Sequence, residues 1–204
     1  MKVLLINGSP HATGCTFTAL SEVAKALNEQ GVETQIYHIG NKPVRGCIAC
    51  SGCSLGGRCV FDDDAANEIG ELMVAADGIV VGSPVYYAGP NGALCALLDR
   101  AFYSIGHKLT HKPAAAVVSA RRSGTTAAFD RLNKYFAISK MPIVSSQYWN
   151  AVHGFTPDDV SKDEEGLQTM RTLGYNMAWM LKSIASGSQP LPQTEPRKTT
   201  NFIK

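Results

Sequence analysis

The sequence lacks any apolar run approaching the roughly 20 residues of a membrane span, and its longest apolar runs are of strand length. It also lacks a leader-like opening, because Lys2 passes directly into Val3-Leu4-Leu5-Ile6. Blocks of one charge are missing: 19 basic against 17 acidic residues leave a formal +2, so neither nucleic acid nor membrane is expected as a partner. No internal repeat is evident, and no Ser/His/Asp arrangement points to nucleophilic catalysis. A cytoplasmic protein is expected, whose six cysteines are then thiols rather than disulfides. Two phosphate signatures are missing as well. No Gly-x-Gly-x-x-Gly follows the first apolar run, and no Gly-Lys-Ser/Thr would bring a lysine to a nucleotide's β and γ phosphates.

What is present begins with Lys2 to Thr16. Val3 to Ile6 suits a strand covered on both faces. Gly8, Ser9 and Pro10 break it, and from Thr16 a helical stripe follows at Leu20, Val23, Ala24 and Leu27. A strand passing through small residues into a helix gathers unpaired N–H groups and a positive dipole end around one spot, which suits a phosphate. With hardly a cation nearby, such a loop would act through neutral donors; the competing reading is a structural turn that binds nothing.

Further strands are expected at Val32–Ile39, Gly78–Gly82, Ala114–Val118 and Ile143–Trp149, the third of the chain's strands being broken by Ser83-Pro84. Between them lie helical stripes at Ile69, Leu72, Met73 and Ala76, at Leu94, Leu97, Leu98, Ala101 and Phe102, and at Phe129, Leu132 and Phe136. Asp62-Asp63-Asp64 is read as the N-terminus of the first of these helices in preference to a metal site. The last stripe, Leu167 to Ile184, follows a Ser161-x-x-Glu164 capping box. Five strands alternating with five helices give a doubly wound α/β fold with a parallel sheet and helices on both faces. One domain, 1–186, with a cysteine-rich insertion at 41–64, precedes a tail at 187–204. Ligands of such sheets bind beyond the carboxyl ends of the strands. There lie the loops Gly8–Thr16, Pro84–Gly92, Ser119–Gly124 and Asn150–Gly154.

At Gly8-Ser9-Pro10-His11 and Cys15-Thr16 the first loop resembles that of the flavodoxin-like NAD(P)H-dependent FMN reductases, usually Gly-Ser-Pro-Arg and then Asn-Thr. His11 and Cys15 are departures. Ser83-Pro84-Val85-Tyr86-Tyr87, followed by Leu98-Asp99-Arg100, resembles that family's Ser-Pro-x-Tyr segment and the Asp-Arg of the next helix. The resemblance implies a five-stranded sheet of order 2-1-3-4-5 and non-covalent FMN. It assigns the phosphate side to Ser9, His11, Gly14, Cys15, Thr16 and Phe17, and the ring side to Pro84, Val85, Tyr86, Tyr87, Gly89, Asn91 and Gly92. Ser119, Arg121, Arg122 and Gly124 complete the set, the arginines either facing the flavin N1–O2 edge or forming a solvated pair. His153 reads first as a structural histidine. Hydride from NADH or NADPH would reach flavin N5 and pass to a small-molecule acceptor such as a quinone, nitro or azo compound, to free flavin, or to a protein.

Cys47, Cys50, Cys53 and Cys59 follow a Cys-x2-Cys-x2-Cys-x5-Cys pattern. Thiolates so spaced wrap around a cuboidal cluster, whereas zinc usually joins two separated knuckles. The run is very like that of the iron-sulfur flavoproteins, a branch of the same fold. That likeness implies a [4Fe-4S] cluster on these four cysteines, a ferredoxin or similar one-electron donor, and a homodimer or homotetramer. The first expectation is an NAD(P)H-dependent FMN oxidoreductase. Alternatives are an iron-sulfur flavoprotein relaying single electrons, a non-enzymatic flavodoxin-type carrier, and a thiol or metal sensor.

Overall fold

Short, doubly buried strands make the centre of the molecule. A computed structural model describes residues 1–193, 195, 196, 198–200 and 202. Its strands are β1 (Lys2–Asn7), β2 (Glu33–His38), β3 (Gly78–Tyr86), β4 (Gly89–Pro90), β5 (Ala114–Ala120) and β6 (Ala151–His153). The sheet runs β2-β1-β3-β5-β6, with every neighbouring pair on this path parallel. β4 is an antiparallel arm on β3, and without it the order is the expected 2-1-3-4-5.

Alternate residues of the central strands feed two cores. Val3, Leu5, Val80, Ala115 and Val117 pack on α1 (Cys15–Glu29) and the last helix (Glu164–Ala185). Leu4, Ile6, Ile79, Val81, Ala114 and Ala116 pack on three other helices, Ala66–Ala75, Gly92–Ile105 and Thr125–Ile138. With the short helices Cys53–Gly56 and Pro157–Val160 the set becomes α1 to α7 in chain order. Helices therefore cover both faces. No helix among the described residues is long and apolar enough to cross a membrane. α7 ends at Ala185, residues 188–193 carry no helix or strand, and the rest of the expected tail lies partly outside the described residues.

Several local expectations need correction. Ser83-Pro84 does not end β3, which continues to Tyr86. β1 stops at Asn7 opposite Gly82, so beyond it β3 has a parallel partner only in β5, a position where a strand accepts proline. Ile143–Trp149 is not a strand: Ile143 makes one isolated bridge to Ala114, and the regular pairing is Ala151–His153. Between these, the Asn150 Nδ2 donates to Ala116 O at 3.0 Å in place of a backbone amide, while Asn176 Nδ2 donates to Ser145 O at 2.9 Å and Ser146 Oγ to Thr169 O at 2.7 Å. Side chains have replaced the ladder. The capping box is Thr156/Asp159 on α6, and α7 is capped by Asp163, whose Oδ1 accepts from Gly166 N at 3.0 Å; Ser161 Oγ instead donates to Pro157 O.

α1 and α7 meet at Gly174. A Cβ there would lie 2.6 Å from Ala26 Cβ and 2.9 Å from Val23 O, closer than packed helices tolerate. Gly174→Ala is expected to lower the unfolding free energy by about 1–3 kcal/mol, read as a shift of the urea midpoint with unchanged slope.

Candidate functional site

The first loop is shaped from below by Asn7, fully buried at the end of β1. Its Nδ2 donates to His11 O at 3.4 Å and Ala12 O at 3.2 Å, and its Oδ1 accepts from Ser9 N at 3.1 Å. Ser9 Oγ accepts from His11 N at 3.1 Å, and the His38 Nε2 lies 2.9 Å from Ser9 O. Inward-facing polar groups of the loop are thus taken up by protein. The outward face is left to the helix start. Gly14 is the N-cap of α1 and supplies no capping side chain, and the first intrahelical bond is Thr18 N to Gly14 O at 3.0 Å. The amides of Cys15, Thr16 and Phe17 precede it and have no intrahelical acceptor. Burial raises the Cys15 thiol above its ordinary pKa, helped by Asp159 and outweighing a backbone hydrogen bond, so the side chain beside these amides is neutral at pH 7. Its Sγ lies 3.7 Å from Gly154 O.

The other strand-end loops are tied to the first. Thr16 Oγ1 and Ser119 Oγ are 2.8 Å apart and buried. Asn91 caps α4 through Ala93 N at 2.9 Å, donates to Gly8 O at 2.8 Å, and its amide donates to Ser83 Oγ at 2.9 Å. The Thr16–Ser119 pair and the Asn91 side-chain amide therefore hold the loops together, while whichever hydroxyl accepts keeps its own O–H to donate. Tyr86-Tyr87-Ala88-Gly89 is a two-residue hairpin turn, with φ of 49° at Tyr87 and 60° at Ala88. Left-handed backbone at two consecutive non-glycine residues costs about 1–2 kcal/mol each, a strain typical of functional turns. It presents the Tyr87 ring wholly to solvent, with Tyr86 exposed beside it. Val85 pairs with Pro90 behind the turn, Pro84 with Ser119, and Gly92 opens α4. Gly124, at φ 90°, lies where a Cβ would come within 2.9 Å of Ala88 Cα. Arg121 and Arg122 are both exposed on this loop, and Phe17 is half-buried in the first turn of α1. Three loops therefore converge on one edge. His153 stands apart on β6, half-exposed, with Nδ1 3.9 Å from Asp163 Oδ2.

The cysteine loop forms a second centre. Cys47, Cys50, Cys53 and Cys59 are free thiols bordering one cavity of about 110 Å³. Among the described residues no three His, Cys, Asp or Glu side chains converge on a point that one metal ion could occupy. Four cysteines lining one cavity supply the donor set that a cuboidal cluster takes. Ala49 and Ser51, flanking Cys50, hold left-handed φ of 53° and 59°, so the backbone there is strained as well. The loop's far end is anchored: Asn67 accepts from Cys59 N at 2.9 Å and donates to Cys59 O, Phe61 O and Asp62 Oδ1. Arg100, buried on α4, contacts Asp64, Phe61 O, Arg45 O and Cys59 Sγ. Asp64 Oδ1 also accepts from Ala66 N, so this carboxylate does serve a helix start, while Asp62 and Asp63 pair with Arg58 and Arg45.

An open parallel sheet whose strand-end loops gather in this way is the flavodoxin-like architecture. A flavodoxin from the domain Archaea superposes with a TM-score of 0.60 at 15% identity, over 89% of this chain and 99% of that one. The family model of NADPH-dependent FMN reductase matches residues 1–156, and the chain belongs to that family of flavin oxidoreductases. It is 36% identical over 192 residues to an iron-sulfur flavoprotein of Methanocaldococcus jannaschii, covering 90% of this chain and 99% of the relative. A second, from Methanosarcina thermophila, is 31% identical over 188 residues, covering 90% and 97%.

Asn7, His38, Asn67 and the anchoring role of Arg100 were not apparent from the sequence. A buried asparagine ending an apolar strand is the one signal that could have marked Asn7. Asp64 carries a pH consequence. Burial opposes its charged form, but the Arg100 guanidinium and the amides of Ala66 and Arg45 outweigh it and hold the carboxyl below its ordinary pKa. A lowered folded-state pKa contributes stability above the unfolded value of about 4 that is lost as pH falls through the folded one. Asp64→Asn is expected to be less stable at neutral pH yet to lose less on acidification from about pH 5 to pH 3, as followed by urea midpoints.

Proposed function

We propose that this protein is an FMN-dependent oxidoreductase of the iron-sulfur flavoprotein kind, with FMN at the strand-end loops and a [4Fe-4S] cluster on Cys47, Cys50, Cys53 and Cys59. The observation that carries the reading is the start of α1, where amides without acceptors stand on a loop whose inner polar groups Asn7 already satisfies. A phosphate there would accept from Cys15, Thr16 and Phe17 and lie at the positive end of the helix. The neutral Cys15 thiol adds no opposing charge. His11 is exposed and replaces the family's usual arginine, so the phosphate is held chiefly by amides and neutral side chains.

Ring recognition falls to the strained hairpin. Tyr86 and Tyr87 offer aromatic faces, and Gly89 and Gly92 leave the backbone open to a flat heterocycle. Arg121 and Arg122 place positive charge on the adjoining loop, which favours negative charge on a neighbouring ring edge. Bound FMN supplies hydride and single-electron chemistry, so the protein's part is binding, orientation and electrostatics. The same reading takes NADPH, NADH or a ferredoxin-like carrier as donor, a small molecule such as a quinone as acceptor, and a homodimer or homotetramer as the assembly. Support for the cluster comes from four free thiols around one cavity and from the iron-sulfur flavoproteins among the relatives.

Anaerobic purification followed by cofactor extraction tests this directly. About one FMN, four iron and four sulfide per chain are expected, with NADPH or a reduced ferredoxin bleaching the flavin. Cys53→Ala is expected to lose iron and sulfide while keeping FMN. A chain that takes up no FMN would overturn the flavin reading, and one that holds FMN but no sulfide would overturn the cluster.

A further inference from the structure

Arg100 has the largest fully buried side chain, and its side chain is 1% exposed. All three of its nitrogens are engaged. The Nε donates to Cys59 Sγ at 3.2 Å, Nη1 donates to Arg45 O at 3.2 Å and to the Asp64 carboxylate, and Nη2 donates to Phe61 O at 2.9 Å. The fork therefore joins both ends of the cysteine loop to α4, because residue 45 precedes the first thiol and residues 59 to 64 hold the last.

One of these contacts exceeds what anchoring needs. Carbonyls and a carboxylate would satisfy a buried guanidinium, yet its Nε is directed at a sulfur. Cys47 Sγ accepts from a neutral backbone donor, Ala49 N, at 3.5 Å. Cys59 thus differs from the other thiols of the run in having a charged donor aimed at its sulfur. Asp64 sits on the same guanidinium and offsets much of its charge at a distance. What reaches Cys59 is then chiefly the local N–H dipole, in a pocket that Phe61 helps to line.

We infer that Arg100 is the positioning residue of the fourth cluster ligand: its Nε–H fixes the Cys59 sulfur and draws electron density from it. The inference rests on the cluster reading above. A hydrogen bond to a ligating sulfur stabilises the more negative, reduced form of a cluster and raises its potential. It also orients the sulfur of a residue whose backbone Asn67 already holds.

The test compares wild type with Arg100→Lys, which keeps a cation near Asp64 but loses the Nε donor, and Arg100→Gln, which loses the charge too. Far-UV circular dichroism and FMN content report folding independently of the cluster. In dithionite titrations the cluster potential is expected to move to more negative values, further in Arg100→Gln than in Arg100→Lys. The chelator concentration that strips half the iron is expected to fall about 10-fold, in the range seen when outer-shell partners of metal ligands are removed. Pulsed EPR of dithionite-reduced wild type grown with ¹⁵N-arginine is expected to reveal a coupled guanidinium nitrogen, a readout that needs no variant to fold. Folded variants with wild-type potential and iron retention, or no coupled nitrogen in the labelled wild type, would overturn the role of Arg100 while leaving the cluster standing. A wild type without iron and sulfide would overturn both.

Discussion

A buried asparagine at the end of the first strand determines how much of this molecule is free to bind anything. A loop of small residues between a strand and a helix has more polar backbone than it can satisfy internally, and unsatisfied groups at a buried position cost about 1–3 kcal/mol each. Asn7 takes up the inward ones, at Ser9, His11 and Ala12, and His38 takes another at Ser9. What remains unpaired is the outward set at the start of α1. The Thr16–Ser119 and Asn91–Gly8 bonds then set the neighbouring loops in fixed relation to that loop. On the proposed reading, recognition of an anion at this edge would follow from which amides the fold leaves over, with little help from formal charge.

Four of the six non-glycine residues with left-handed backbone among the described residues lie at the two candidate centres, the others being His111 and Lys140. The hairpin at Tyr87 and Ala88 and the turns at Ala49 and Ser51 hold non-glycine residues in left-handed backbone, a conformation that the rest of the structure must stabilise. One pair carries the aromatic faces at the strand ends, and the other shapes the thiol run. α4 joins the two places. Its first turn is capped by Asn91 beside the first loop, and Arg100 farther along it grips the ends of the cysteine loop. A single rigid helix thereby fixes both candidate centres to one core.

The sheet was legible because its signals are local. Val3 to Ile6, Gly78 to Gly82 and Ala114 to Val118 are apolar runs that suit only buried strands, and their order with the helices leaves few topologies. The motifs at Gly8 to Thr16 and Ser83 to Asp99 are local in the same way, and they mark loops that the fold brings together at the candidate site. Features decided by distant partners were not legible. Asn150 donating to Ala116 turned an apparent strand into an irregular segment. Thr16, Ser119 and Asn91 also bind other loops of the protein, a role that no local pattern announces. Asp62-Asp63-Asp64 has the composition of a helix cap and Asp64 does accept from Ala66 N, but each member also has an arginine that the sequence places between 4 and 36 residues away. Arg100 was visible as a motif letter, while its contact with Cys59 spans 41 residues.

The central claim is that the amides at the start of α1 hold a phosphate. Titrating the flavin-free protein with FMN and with riboflavin, which differs only in lacking that phosphate, measures the claim by itself. FMN is predicted to bind at least 10-fold more tightly, the equivalent of about 1.4 kcal/mol, and inorganic phosphate to compete with it. Equal affinities for the two flavins would contradict the account.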